Sequence, residues 1–379
     1  MRPEGRKESA LPLLEAVAWQ VGLPGAGHLG QELEGAGYFE RTLLGQWEAV
    51  HEVLALHLAA APEPAAVARA WAEQAGPRIA FFLPGAWTRF ARGEGLGWAC
   101  VEPILQRLAA DPDRGVNDAV AAFGVRPWAE ELGPPLLADL ADWVVPSRPE
   151  GVRRAAVAAT RPAGVWVRHL DWAMELPDRL LPLWDVVARD PSPWVVNALG
   201  NALNDLTRSH PERIVAWVAR WLEVEPEPPQ ALRLAHKALR GLVRRGHRRA
   251  LDLLDLEPFQ AEVEARLLGD PVVRSGRRLR FELEVVYDGP PRDVLLVCEL
   301  RTPGSSPERP RKRRFQAGFW ELDGPGRHLL RASERVFERR NAPLWSGPAE
   351  ARFQLNGVEV ARVPFEIVGR DPATRTGGS

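Results

Sequence analysis

An all-α solenoid followed by one small C-terminal β-sandwich is the fold that the sequence predicts, on three observations. From about Leu11 to Leu254 apolar residues recur at three- and four-residue spacing, the pattern of amphipathic helices. Inside that stretch a helix–turn–helix segment returns with a period of roughly 40 residues, the range of HEAT and armadillo repeats. After Pro258 the period drops to two: Leu279, Phe281, Leu283 and Val285 alternate with Arg280, Glu282 and Glu284, as on a half-buried strand.

The repeat is read from its punctuation. A helix ends, an Asp-Pro or Arg-Pro turn follows, and a second helix opens with a β-branched residue. The copies run Leu105 to Asp111-Pro112 and Val116, Leu140 to Arg148-Pro149 and Val152, and Val186 to Asp190-Pro191 and Val195, with a weaker one from Trp217 through Pro228-Pro229 to Leu232. One helix pair cannot bury its apolar face alone, so stacked pairs share a continuous core. Beyond the repeats, strands are expected at Val294–Leu300, Phe315–Leu322, His328–Ala332 and Ala349–Leu355. Asn356-Gly357 between two alternating runs marks a hairpin, because both residues adopt positive φ readily. Five to seven short strands over about 100 residues suggest an immunoglobulin-like sandwich. The expected boundaries are 1–258 for an all-α HEAT-like or armadillo-like solenoid, 270–369 for the immunoglobulin-like domain and 370–379 for a disordered tail.

The 379 residues carry 45% hydrophobic and 26% charged side chains and a formal net charge of −1. That is ordinary globular composition, so any nucleic-acid site has to be a local basic patch. Only Lys7, Lys237 and Lys312 are lysines, so the cations are nearly all arginine, which donates bidentately to phosphate. Cys100 and Cys298 sit in apolar runs and read as buried free thiols in a reducing cytoplasm. No run of about 18 apolar residues exists, so no membrane span is expected. The segment beginning Met1-Arg2-Pro3-Glu4 is too acidic for a signal peptide.

Most chemical motifs are missing or misplaced. Gly25-Ala26-Gly27-His28-Leu29-Gly30 matches a dinucleotide fingerprint literally, but the segment before it reads as helix where such a site needs a strand. His51 and His57 are six apart and point to different helix faces. No metal-ligand spacing, Walker loop or nucleophile elbow is present, so no metal and no cofactor is expected. Asp205 lies in an apolar helical stretch and reads either as a helix-end cap, as a partner to a nearby arginine, or as a site carboxylate. Trp128 and Trp166 read either as core aromatics or as site residues.

Several stretches together carry a resemblance. They are Phe123-Gly124-Val125-Arg126-Pro127, Val152-Arg153-Arg154 with Arg161-Pro162 and Trp166, Asp190-Pro191-Ser192, Leu203-Asn204-Asp205-Leu206-Thr207-Arg208-Ser209-His210-Pro211, and His236 through Gly246; Arg339-Arg340 and Leu355-Asn356-Gly357 match in the β region. In order and approximate spacing, residues from about 30 to 365 resemble the AlkC branch of the AlkC/AlkD family of bacterial DNA alkylation repair glycosylases. The resemblance implies a HEAT-like solenoid with an immunoglobulin-like domain and removal of cationic N3- or N7-alkylated bases without a flipped-base pocket. In that chemistry the base is already a good leaving group. A carboxylate meets the oxocarbenium-like charge left on the sugar, and an aromatic face contacts the cationic nucleotide. Carried over, Asp205 is the catalytic carboxylate and Trp166 the aromatic face. Arg126, Arg154, Arg161, Arg208, Arg240, Arg244, Arg313 and Arg339 are the implied DNA-binding residues. Double-stranded DNA, possibly alkylated, is the implied partner of a bacterial cytoplasmic monomer that associates with the nucleoid when bound.

The departures are specific. The family commonly places Ser-Glu before Phe-Ala-x-Arg-Pro and Ser-Glu-Gly before Ser-Arg-Pro, so two expected site acids are here Ala122 and Ala158. Where an arginine pair usually follows the Asp-Pro-Ser turn, Val196-Asn197 stand. Three readings therefore stay open: a glycosylase with an altered site, a catalytically lapsed binder of DNA structure, and a protein-interaction scaffold. Convergence of Arg126, Arg153, Arg154, Arg161, Arg208, Arg240, Arg244 and Arg245 on one face favours DNA. The run Arg309-Pro310-Arg311-Lys312-Arg313-Arg314 is expected to form a basic loop, either phosphate-binding or merely solvated.

Overall fold

The structure is a computed structural model that describes residues 11–164, 167–224, 229–306, 309–338 and 343–370. The chain divides into two compact units, Met1–Ala238 and Leu239–Ser379. The expected tail at 370–379 lies, apart from Arg370, outside the described residues.

In the first unit every described element is helical, and its junctions follow the sequence punctuation. Helix Trp98–Ala109 leads through Asp111-Pro112 into helix Arg114–Ala119, Leu136–Trp143 leads through Arg148-Pro149 into Glu150–Ala159, and Leu181–Val187 leads through Asp190-Pro191 into Pro193–Leu206. Capping explains the starts. Asp113 Oδ1 accepts from the backbone N–H of Gly115 at 2.7 Å and of Val116 at 3.1 Å. Ser192 Oγ accepts from Trp194 N–H ahead of a helix that begins with proline, whose missing N–H costs nothing there.

Polar staples bind successive copies. Buried Asn117 donates to the carbonyls of Ala109 at 3.0 Å and Gly151 at 2.7 Å, tying the end of one copy to the start of the next. Arg153 forks onto Asp190, and both side chains are buried. Gly151 has no room for a side chain: a Cβ there would lie 2.1 Å from the Ala109 carbonyl oxygen. After helix Arg114–Ala119 the chain makes a π-helical segment, Val120–Val125, and continues as helix Arg126–Leu132. The Thr88 hydroxyl donates to the Gly124 carbonyl within that segment at 3.0 Å. Cys100 is exposed on helix Trp98–Ala109, against the expectation of a buried thiol: the apolar neighbours Trp98 and Val101 face the core and turn residue 100 outward. Cys298 is buried.

Among the described residues the second unit contains helix Arg248–Asp252 and eight strands: β1 Glu262–Leu267, β2 Val272–Arg274, β3 Arg278–Tyr287, β4 Arg292–Ser306, β5 Arg309–Leu322, β6 Gly326–Arg335, β7 Gly347–Leu355 and β8 Val358–Val368. They form a three-stranded sheet, β1-β3-β6, and a five-stranded sheet, β2-β8-β7-β4-β5, antiparallel except where β2 meets β8. The alternating residues of β3 turn inward to meet those of the other sheet; Phe281 and Phe353 pack edge to face with ring centroids 5.1 Å apart. The Asn356-Gly357 turn joins β7 to β8 with φ of 45° and 85°. Asn356 is fully buried there. Its side chain accepts from Leu295 N–H at 2.8 Å and donates to the carbonyls of Glu257 at 2.9 Å and Asp293 at 3.2 Å.

Candidate nucleic-acid interface

Asp205 stands at the last turn of helix Pro193–Leu206, and Arg161 one residue beyond the Thr160 cap of helix Glu150–Ala159. The two meet as a bidentate pair, Arg161 Nε to Oδ2 at 2.9 Å and Nη2 to Oδ1 at 3.0 Å, with the Ala163 N–H at 3.4 Å from Oδ2. Their side chains keep 10% and 19% of their surface, so the pair is shielded but reachable from solvent.

Arg126 lies under this pair and corrects one expectation. It is 1% exposed, and its guanidinium donates to the carbonyls of Ala159, Arg161 and Arg168. It therefore braces the helix end and the loop that carries Arg161, and its burial keeps it from presenting a donor to phosphate. Burial draws its pKa down to about 10, against the opposing pull of Glu130. Arg153, spent on Asp190 in the core, is likewise no surface cation. Trp166 falls outside the described residues.

Arg154 points to a different part of the same helix pair. It donates to the side chains of Asn117 and Asp118 and stacks over the Trp194 ring, its guanidinium carbon 4.7 Å from the centroid. Four residues on from Arg154, Ala158 is partly exposed on the same helix face, and Ala122 is partly exposed on the π-helical segment. Arg208 is exposed just past the helix that holds Asp205.

The remaining candidates belong to the second unit. Arg244 Nε donates to the carbonyl of Arg240 at 3.2 Å. The basic run is no loop: residues 309–314 open β5 and pair with β4. Arg313 binds Glu334 at 3.1 Å and sits over Phe337, and Arg314 binds the buried Glu299. Cross-strand acids thus take up charge that the sequence alone left uncompensated. Arg339 lies outside the described residues.

Sequence reasoning missed Trp194 and Arg114, whose guanidinium carbon lies 5.5 Å from the same indole centroid. Their signal is spacing: positions 114, 154 and 194 are one repeat period apart. The glycine-rich segment at 25–30 follows helix Leu11–Gln20, and the His57 ring fills the space beside Gly25, hydrogen-bonded to the Pro24 carbonyl at 2.5 Å and Glu32 at 2.6 Å. Among the described residues no group of three His, Cys, Asp or Glu is placed to hold a metal ion, and no helix is long and apolar enough to cross a membrane.

No protein-family model matches the chain. A 139-residue stretch is 27% identical to an uncharacterized protein of Bacillus subtilis, YhaZ, covering 37% of this chain and 38% of that one. The chain thus aligns with well under half the length of that relative. Among solved structures, the chain is similar to the Pseudomonas fluorescens alkylpurine DNA glycosylase AlkC bound to DNA containing an abasic site analog: TM-score 0.76, 20% identity, 95% of this chain and 97% of that one covered. The fold is AlkC-like over nearly the whole chain.

Proposed function

We propose that this chain is a divergent member of the AlkC branch that binds double-stranded DNA as a monomer and has largely lost glycosidic hydrolysis. The carrying observation is the Arg161–Asp205 pair, set beside alanines at 122 and 158. Removal of a cationic N3- or N7-alkylated base leaves positive charge on the sugar. One well-placed group aimed at developing charge contributes roughly 3 kcal/mol. Here two of the three expected carboxylates are methyl groups, and the third spends both oxygens on a guanidinium. Its field at a sugar outside the pair is that of a neutral dipole, not of an anion.

The same features favour the backbone of DNA. Removing two acids while keeping Arg154, Arg161 and Arg208 makes the face less repulsive to phosphate. The AlkC likeness supports DNA as the partner, since that protein was captured on it. The strand order β1-β3-β6 against β2-β8-β7-β4-β5, with both sheets closing on one core, supports an immunoglobulin-like reading of the β region at 270–369, and the helix pairs joined at Asp111-Pro112, Arg148-Pro149 and Asp190-Pro191 support helical repeats over 1–258. A release assay on methylated duplex, run beside a binding assay on the same duplex, tests the proposal. Tight, salt-sensitive binding with release near the spontaneous rate is expected; rapid release, or no binding, overturns it.

A further inference from the structure

We infer that Arg114, Trp194 and Arg154 form a phosphate clamp, a DNA-backbone contact made by three residues from helices one repeat period apart. The inference rests on the DNA-binding reading above and adds to it two residues that the family resemblance did not supply. Arg114 opens helix Arg114–Ala119, Arg154 lies in Glu150–Ala159, and Trp194 is the second residue of Pro193–Leu206. Both guanidinium carbons stand within stacking range of one indole, at 5.5 and 4.7 Å from its centroid.

Stacking matters because it fixes a guanidinium without consuming its N–H donors. Among the described residues Arg114 makes no hydrogen bond or ion pair; it is exposed and rests over the Trp194 ring. A long cation held in place with its fork unspent has already lost the rotamer freedom that phosphate binding would otherwise remove. Arg154 is partly engaged: one nitrogen serves Asn117, and another serves the exposed carboxylate of Asp118. Asp118 is the acid a phosphate must displace. The neighbouring acids are committed elsewhere, Asp113 to the N–H groups of its own helix start and Glu150 to the Ser192 hydroxyl. A braced donor fork with one exchangeable acid beside it suits an oxyanion of backbone type, and its place on the helix face that also carries Ala158 suits the backbone of a duplex.

The test is a thermodynamic cycle on the full chain with an unmodified 20-base-pair duplex as probe, read as affinity across a KCl series. Arg114→Ala is expected to weaken binding roughly fivefold, the upper end for one partly exposed charge pair, and to lower the salt slope by about one. Trp194→Leu removes no charge, yet is expected to cost a similar factor, because the unbraced arginines lose their geometry. The double variant should bind no worse than the poorer single one, and Trp194→Phe, which keeps a ring, should retain most of the affinity. Unchanged affinity and slope in Arg114→Ala, or losses that simply add in the double variant, overturn the clamp. Should Arg208→Ala weaken binding while Arg114→Ala does not, the clamp fails and DNA binding stands. Absence of duplex binding by the parent chain overturns both.

Discussion

Arg161 and Asp205, 44 positions apart in sequence, hold one another at two points, 2.9 and 3.0 Å, across the ends of neighbouring helices. Each side chain therefore sets what the other can offer a ligand. Replacing Asp205 by Asn keeps the shape and removes the charge. It should release Arg161 to phosphate, so duplex affinity rises several-fold and the salt slope steepens by about one. Stability should fall by about 1–2 kcal/mol, because a half-shielded guanidinium loses its strong acceptor. Any residual base release should fall as well. A binding isotherm with weaker affinity in Asp205→Asn would remove the basis for this exchange.

Restoring the missing acids is the converse experiment. Ala122 and Ala158 are both partly exposed, so glutamates there should cost less than about 1 kcal/mol each. The variant Ala122→Glu/Ala158→Glu should release methylated purine at least tenfold faster than the parent, a fraction of what such groups supply when ideally placed. It should also bind undamaged duplex less tightly, since two negative charges return to the face. Quantifying released base by chromatography decides the matter; a rate equal to the parent's would mean that these positions are not where the charge is needed.

Arg126 should matter for folding more than for binding. Arg126→Met leaves the carbonyls of Ala159, Arg161 and Arg168 without their donor in a buried site. A loss of about 3 kcal/mol is expected in urea denaturation, together with faster proteolysis near residues 160–170. A variant as stable as the parent would show that the brace is dispensable.

His51 should give the fold an acid limit. Burial, with help from Arg89, holds its pKa at about 3, well below the ordinary 6.5. Its Nε2 has no hydrogen-bond partner among the described residues. The unfolded chain then binds a proton that the folded chain refuses between about pH 6.5 and 3, so stability rises with pH through that window and is complete above it. Each unit of acidification should cost about 1.4 kcal/mol from this group alone. His51→Leu should flatten that limb by about one proton, read from denaturation midpoints at pH 4.5 and pH 7.5.

The helical repeats and the β7–β8 hairpin were legible because their boundaries are chemical: Asp113 and Ser192 cap, Pro193 begins a helix, and Asn356-Gly357 can turn where few other pairs can. Directions were harder to read than positions. The π-helical segment Val120–Val125 widens the helix just before Arg126, so a count in steps of 3.6 loses phase there, and the arginine that the resemblance assigned to DNA is interred. The opening of β5 was hidden for another reason. Arg309 to Arg314 is polar on both faces, which erases the period-two signal, and its acids arrive from Glu299 and Glu334 on other strands. Asp205 could be found but not its state, since the choice between a cap, an arginine partner and a free carboxylate depends on a residue one repeat away.

The reach of Asn356 back to the carbonyl of Glu257, and the close approach of Gly357 to Gly246, have a consequence for how such a chain can be cut and inherited. The strands are not a cassette that recombination could lift out at residue 262 and paste elsewhere. A fragment starting there would carry a fully buried amide with one acceptor gone and a glycine turn with nothing pressed against it. The minimal portable module begins upstream, in the basic helical stretch after Ala238, so the arginines of that stretch travel with the sheets and not with the repeats.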